Sequence, residues 1–441
     1  MSNLCDTVSA VFRRIEPVIV LQQLASALFD TALQMVVKDR CANATDPGTG
    51  ISTEDSRQKA MSDFYMTYNL IAKLTPILPA LLLARLGDRG WRKAPIVSPQ
   101  IGYLLSRLTL LLVIVLRGPL RAMWAGAALH GLAGGFCSYW AGVMALVSLG
   151  STAKDRSKVM MRVELLYGTA GLVGSLVSGH LFRLYSSIGQ GTVLVSVSTL
   201  LYLVCLVYSV LLLQVKQVPD QEESCGLMGN GTGDVPAAPP PGRSNKVNLA
   251  LLFAGGVLYD VAVGGAMEIL VTFQMKEPLN WNATQVGYGN AAGFVIFLTS
   301  FLGVMVMSRC VSDVTLILIG MLSFASGIYF MAFVTATYMF YLARSLMLFA
   351  LIPMPTIRSL LSQQVQGSSY GITLISLQVA FKVASLAYTP AYTKIYQSSL
   401  DWFPGFIFTL SSVITVLGTI PISIVGCRLP QRQRYERIQG D

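Results

Sequence analysis

Twelve long apolar stretches, parted six and six by one polar segment, constrain this 441-residue chain more than any other feature. A helix needs about 20 apolar residues to cross a bilayer core, because each residue advances it by about 1.5 Å. Such stretches occupy residues 16–37, 61–84, 94–116, 121–149, 159–182 and 190–213, then 248–273, 284–307, 314–333, 337–361, 371–395 and 402–427. In hydrocarbon every backbone N–H and C=O must bond internally, so these spans read as helices and the chain as an all-α membrane protein. Charged residues make up 12% of it, where a soluble domain carries roughly 25%.

The net charge of +10 does not point to nucleic acid, because Lys and Arg gather in alternate loops. They cluster at Arg13 and Arg14; at Arg85, Arg89, Arg92 and Lys93; at Lys154, Arg156, Lys158 and Arg162; and at Arg428, Arg432, Arg434 and Arg437. The positive-inside rule places these loops and both termini in the cytosol. The sequons at Asn43 and Asn282 then fall on the outer side, where glycosylation occurs, and that at Asn230 does not. Trp124, Trp281 and Trp402 fall at outer span ends and read as interfacial anchors.

Several chemistries find no support. Of seven cysteines only Cys41 falls in an outer loop, and no Cys/His cluster offers a metal site. No Walker sequence or hydrolytic triad is present, so neither enzyme activity nor ATP-driven pumping is expected. Gly287, Gly289 and Gly293 are spaced G-x-G-x-x-x-G at the opening of a span, which reads as helix packing and not as a nucleotide loop. The expected cofactor list is empty apart from a proton as coupling ion.

Residues 1–15 read as a cytosolic N-terminus, 16–213 as a six-helix bundle, 248–427 as a second bundle and 428–441 as a tail. Between the bundles, 214–247 holds Gly226, Gly229, Gly231, Gly233 and Pro239-Pro240-Pro241, which suits a disordered tether. This layout resembles the major facilitator superfamily, whose two six-helix halves rock about a midplane site. That superfamily carries a G-x-x-x-D-R-x-G-R-R/K loop after its second span. Here the loop keeps Asp88, Arg89, Arg92 and Lys93 but replaces both glycines, by Ala84 and Trp91. It reads as a gating loop whose charges clamp and release neighbouring helices; an ordinary basic loop reads the same way.

A charge at the centre of a span costs about 2.5–3.5 kcal/mol on insertion scales, so such groups line polar cavities or pair with each other. The first half holds Asp30, Lys73, Arg107, His130 and Glu164, and the second Asp260, Glu268, Arg344, Arg358 and Lys382. In facilitator folds spans 1, 4, 7 and 10 line the cavity, so Arg358, Arg344, Asp260, Glu268 and Asp30, with Lys382, are the candidate substrate-binding set. Static pairing between helices is the plain alternative for any one of them. Glu164 precedes Gly168, Gly171 and Gly174, which admit a close neighbouring helix. A carboxyl packed there loses solvent and takes up a proton more readily, so Glu164 and His130 are the candidate proton-coupling residues. Arg358 follows Pro353 and Pro355 and can grip a carboxylate or phosphate with two prongs.

The chain resembles the solute carrier 46 group, which includes the proton-coupled folate transporter. The likeness is carried by Phe64-Tyr65-Met66-Thr67-Tyr68-Asn69-Leu70, Gly142-Val143-Met144-Ala145-Leu146, Ser178-Gly179-His180-Leu181-Phe182, Phe349-Ala350-Leu351-Ile352-Pro353 and Thr356-Ile357-Arg358-Ser359, among others. It implies proton-coupled import of anionic organic solutes, with folates, muropeptides and cyclic dinucleotides among the group's substrates. It also implies that Glu164, ahead of Gly168-Thr169-Ala170-Gly171, matches a proton-coupling glutamate, and that Ile357-Arg358 matches a functional pair. Two departures bear on substrate. An acidic residue of the folate-transporting relative falls at Gly135, and the group's outer disulfide lacks a partner for Cys41.

The expected partners are therefore a small anionic organic substrate, protons and the lipid bilayer, with no nucleic acid. The expected location is the plasma membrane or an endosomal membrane. A transport-inactive receptor or scaffold, and a uniporter that moves no proton, remain open alternatives. Titratable Glu164 and His130 suit proton coupling better than either.

Overall fold

The computed structural model describes residues 15–42, 53–149, 156–185, 191–213, 243–308, 310–364 and 370–428. Asn43, Lys154, Asn230 and most of the segment between the bundles lie outside them. The described residues form helices and no strand.

The first six expected spans become α1 (Glu16–Cys41), α2 (Thr53–Leu74) continued by α3 (Ile77–Asp88), α4 (Ala94–Val115), α5 (Ala122–Leu132) continued by α6 (Gly135–Leu149), α7 (Arg156–Leu184) and α8 (Thr192–Leu211). The second six become α9 (Arg243–Gln274), α10 (Ala283–Met307), α11 (Asp313–Met331), α12 (Thr337–Leu346) continued by α13 (Pro353–Gln364), α14 (Tyr370–Ser399) and α15 (Phe406–Arg428). Nine helical segments among the described residues are long and apolar enough to cross a membrane. The fourth and tenth expected spans are instead each two short helices end to end, and the eleventh, α14, is not among the nine.

Each interruption has a local cause. Pro76 supplies no N–H to continue α2. Gly134 and Gly135 take φ of +108° and +60°, a region open to glycine, and so end α5 and begin α6. The break between α12 and α13 frees backbone carbonyls that three neighbouring helices satisfy. Thr299 Oγ1 and Ser300 Oγ of α10 donate to Leu348 O at 2.8 and 2.9 Å, Ser323 Oγ of α11 donates to Leu346 O at 2.6 Å, and the Tyr259 hydroxyl of α9 donates to Ala350 O. Irregular backbone at membrane depth is tolerated where protein groups replace the lost bonds.

Within the first half α1 packs on α7 and α8, and α4 on α5 and α8; within the second α9 packs on α14 and α15, and α11 on α15. The halves meet along α7 against α10 and α2 against α14. Glycines set the first of these joins. A Cβ on Gly179 would stand 2.6 Å from Ala283 O, and one on Gly287 would stand 2.6 Å from Ser175 O. Gly171 faces the Phe294 ring just as closely.

Polar contacts close the end remote from the chain termini. Lys38 Nζ donates to Asn280 Oδ1 and Trp281 O, both at 2.7 Å; Lys276 pairs with Asp55 at 2.6 Å; Lys394 pairs with Asp63 at 3.0 Å. Two sequence expectations change here. Trp281 is fully buried and donates its indole N–H to Thr337 Oγ1 at 3.0 Å, so it anchors a loop to the protein and not to the interface. Cys41 is the last residue of α1 and is buried, not looped out.

Candidate substrate cavity between the two halves

A cavity of about 870 Å³ lies between the halves, on the termini side of those joins. Asp30 of α1, Glu164 of α7, Glu268 of α9 and Arg344 of α12 all line it. The break after α12 leaves Arg344 in the last turn of that helix. Its guanidinium reaches Met267 Sδ at 3.7 Å and lies 5.3 Å from the Phe340 ring, with no carboxylate in ion-pair contact among the described residues.

The four charged groups differ in how they are held. Glu268 is ion-paired with Lys73 of the opposite half, and Thr389 Oγ1 lies 3.0 Å from Lys73 Nζ and 3.1 Å from Glu268 Oε1. Asp30 and Glu164 have neither a hydrogen bond nor an ion pair from a described residue. Behind Asp30, Arg107 is 3% exposed and enclosed by the rings of Phe29, Tyr103 and Tyr202 at 4.2, 4.6 and 4.3 Å. That cage holds the guanidinium away from ion-pair contact with Asp30.

The other predicted residues sit away from the cavity lining. His130 packs on Tyr103 with ring centroids 4.0 Å apart and the planes tilted by 38°. Asp260 lies where Lys73 of the first half and Lys382 and Arg358 of the second act on it electrostatically, so these groups form a second polar cluster outside the cavity lining. Arg358 interacts in the same way with Asp260 and Glu164. In the loop after α3, Arg89 is exposed, Lys93 Nζ donates to Val210 O at 3.1 Å within its own half, and Arg92 lines a small cavity of about 320 Å³. Asp88 ends α3, and its side chain lies outside the described set. Asn282 is exposed and caps α10, its Oδ1 accepting from Gln285 N at 3.0 Å.

One part of the site carried no sequence signal. Phe136, Trp140 and Tyr167 of the first half meet Phe294 and Phe297 of the second, and all five line the cavity. Phe136 stacks on Trp140 at 5.8 Å, and Tyr167 lies edge-on to Trp140, Phe294 and Phe297 at 4.9, 6.3 and 6.1 Å. In an apolar run such rings cannot be told from lipid-facing ones.

No family-wide sequence profile matches the chain. Individual relatives do. Solute carrier family 46 member 2 of Canis lupus familiaris is 43% identical over 455 aligned positions, covering 96% of this chain and 94% of its own. The chain belongs to the solute carrier 46 family. Member 2 of Mus musculus is 42% identical over 96% of this chain and 94% of its own. A more distant family member, the lysosomal proton-coupled steroid conjugate and bile acid symporter of Homo sapiens, is 25% identical over 87% of this chain and 84% of its own. Among solved structures, the peptide transporter PepTSo superposes with a TM-score of 0.64 at 11% identity, covering 97% of this chain and 99% of its own. The xylose transporter XylE from E. coli, in an inward-open conformation, gives 0.62 at 14% identity over 94% and 96%. These likenesses show the major facilitator fold. This solute carrier 46 protein is a multi-pass membrane transporter of solutes and not an enzyme.

Proposed function

We propose that this solute carrier 46 protein imports anionic organic solutes together with protons, by alternating access. One observation carries the reading: Arg344 and Glu164, neither in an ion pair with another described residue, line the same cavity from opposite halves. The substrate anion supplies the partner that Arg344 lacks, and a charged hydrogen bond of this kind contributes about 1.5–3 kcal/mol. A proton on Glu164 removes the second uncompensated charge, which lowers the cost of closing the site away from water. Arg358 and Lys382, beside Asp260, add positive potential from the second half.

The Lys73–Glu268 pair joins the halves at the cavity edge, so opening the closed end requires it to part. The aromatic wall suits substrates with a ring or fused-ring body. Antifolates and folates fit that description, as do the steroid conjugates and bile acids in a relative's name; muropeptides and cyclic dinucleotides share the anionic group. The proposed topology keeps both termini cytosolic, at the plasma membrane or an endosomal membrane, and leaves Asn43 and Asn282 open to glycosylation.

The experiment is accumulation of labelled methotrexate in vesicles carrying the purified protein, with the outside made acidic. Uphill accumulation that a protonophore abolishes is the expected result. Saturable binding without accumulation would replace the carrier by a receptor, and equilibration without uphill movement would replace it by a uniporter.

A further inference from the structure

The cavity is polar in a particular sense: its unpaired charges are sorted by half. In the lining, Asp30 and Glu164 stand on the first half and Arg344 on the second; outside it, Arg358 and Lys382 flank Asp260. Glu268 drops out of this comparison because Lys73 already holds it. A monoanion gripped by Arg344 and a proton on Glu164 still leave Asp30 without a partner. Arg107 acts on Asp30 electrostatically but makes no ion pair with it, since three rings enclose its guanidinium.

Two further groups beside Asp30 also lack partners. Gln34 Oε1 and the Tyr65 hydroxyl are buried and make no hydrogen bond with a described residue, and both residues line the same cavity. Gln34 lies four residues after Asp30 on α1, so the two share a helix face, and Tyr65 lies close enough for Asp30 to act on it electrostatically. Buried acceptors left unpaired are costly and rare in native proteins. A carboxylate, an amide oxygen and a hydroxyl oxygen are three acceptors, and an ammonium group has three donors.

We propose that Asp30, Gln34 and Tyr65 form an ammonium site, so that the preferred substrates carry an amine on one end and an acid on the other. This rests on the import reading above and narrows its substrate class to zwitterions or amine-bearing anions. Such a substrate spans the cavity, its acid on Arg344 of the second half and its amine on the first. Binding then draws the two halves together, which a simple anion held on one side does not do.

The test uses two probes that differ by one charge, γ-glutamyl-phenylalanine and its N-acetyl derivative. Their binding to the purified full chain is measured by thermal stabilisation, for wild type, Asp30→Asn and Asp30→Glu. The expected result is about ten-fold tighter binding of the free amine to wild type, retained in part by Asp30→Glu and erased in Asp30→Asn. Equal binding of both probes to wild type overturns the proposal, as does failure of the free amine to bind, or an amine preference that survives in Asp30→Asn. Wild type alone decides the matter if a variant does not fold. Acid-stimulated methotrexate uptake is recorded in parallel. If it persists while the amine preference is absent, the zwitterion site falls and proton-coupled import stands; if it is absent while the amine preference holds, the reverse is true.

Discussion

Lys73 of α2 is ion-paired with Glu268 of α9, and this contact joins the two halves beside the cavity. The Tyr388 ring lies 4.8 Å from the ammonium, and Thr389 Oγ1 lies within bonding distance of both partners. The pair is partly open, with side chains 22% and 15% exposed, so it can part without stranding either charge in a dry interior. Removing one partner leaves the other uncompensated. Lys73→Met and Glu268→Gln are each expected to cost about 1–3 kcal/mol of the closed-end state, seen as a roughly ten-fold or larger fall in uptake. The exchange Lys73→Glu with Glu268→Lys restores most of that loss. Uptake by the four proteins checks it, and an exchanged pair no better than the single variants would contradict it.

The join of α7 with α10 separates backbone from side-chain crowding. A methyl group on Gly179 meets Ala283 O and Thr284 Cα at 2.6 and 2.7 Å, and neither can move without shifting a helix. One on Gly171 meets the Phe294 ring, which can rotate. Gly179→Ala is therefore expected to lower transport strongly, with an overpacking cost of about 1–3 kcal/mol. Gly171→Ala is expected to be milder and to recover when combined with Phe294→Leu. Uptake rates of the three variants measure this order.

Ion pairs at the closed end differ in worth by burial. Lys394 and Asp63 are 61% and 52% exposed, so Lys394→Ala is expected to change stability by no more than about 1 kcal/mol. Lys276 and Asp55 are 12% and 16% exposed, and Lys276→Ala is expected to cost more than Lys394→Ala. Thermal unfolding in detergent compares them.

Arg344 is the cationic group in the cavity wall, and its guanidinium can grip a planar anion with two prongs. Arg344→Lys keeps the charge and loses the fork, so the apparent KM for an anionic substrate is expected to rise about ten-fold, and Arg344→Gln is expected to raise it further. Equal KM in wild type and Arg344→Gln would move the anion site to Arg358.

Much of this architecture was readable from apolar run lengths, because hydrocarbon leaves helices as the one local solution. The breaks were harder to read. Gly134-Gly135 and Pro353 were visible as residues, but whether a span breaks there depends on hydroxyls of other helices, Ser98 at the first and Ser300 and Ser323 at the second. In-span charges drew attention to Asp30, Glu164, Glu268 and Arg344, since lipid makes any charge exceptional. Which ones share a cavity was not legible: Lys73 and Glu268 are 195 positions apart in the chain, and their pairing is a fact of tertiary packing. Arg358 and His130, equally conspicuous in sequence, are not among the lining residues. The aromatic residues Phe136, Trp140, Tyr167, Phe294 and Phe297 left no mark because a membrane helix carries such rings for several reasons.

Proton coupling through Glu164 is tested most directly by uptake of labelled methotrexate at about pH 5.5 and about pH 7.4 in wild type and Glu164→Gln. A carboxyl that must be neutral for the site to close is protonated more often as pH falls, so wild-type uptake rises in acid. Glutamine is neutral at both values, so the variant is expected to transport at one pH-independent rate. A Glu164→Gln protein that keeps the full acid stimulation, or a wild type that shows none, would contradict the account.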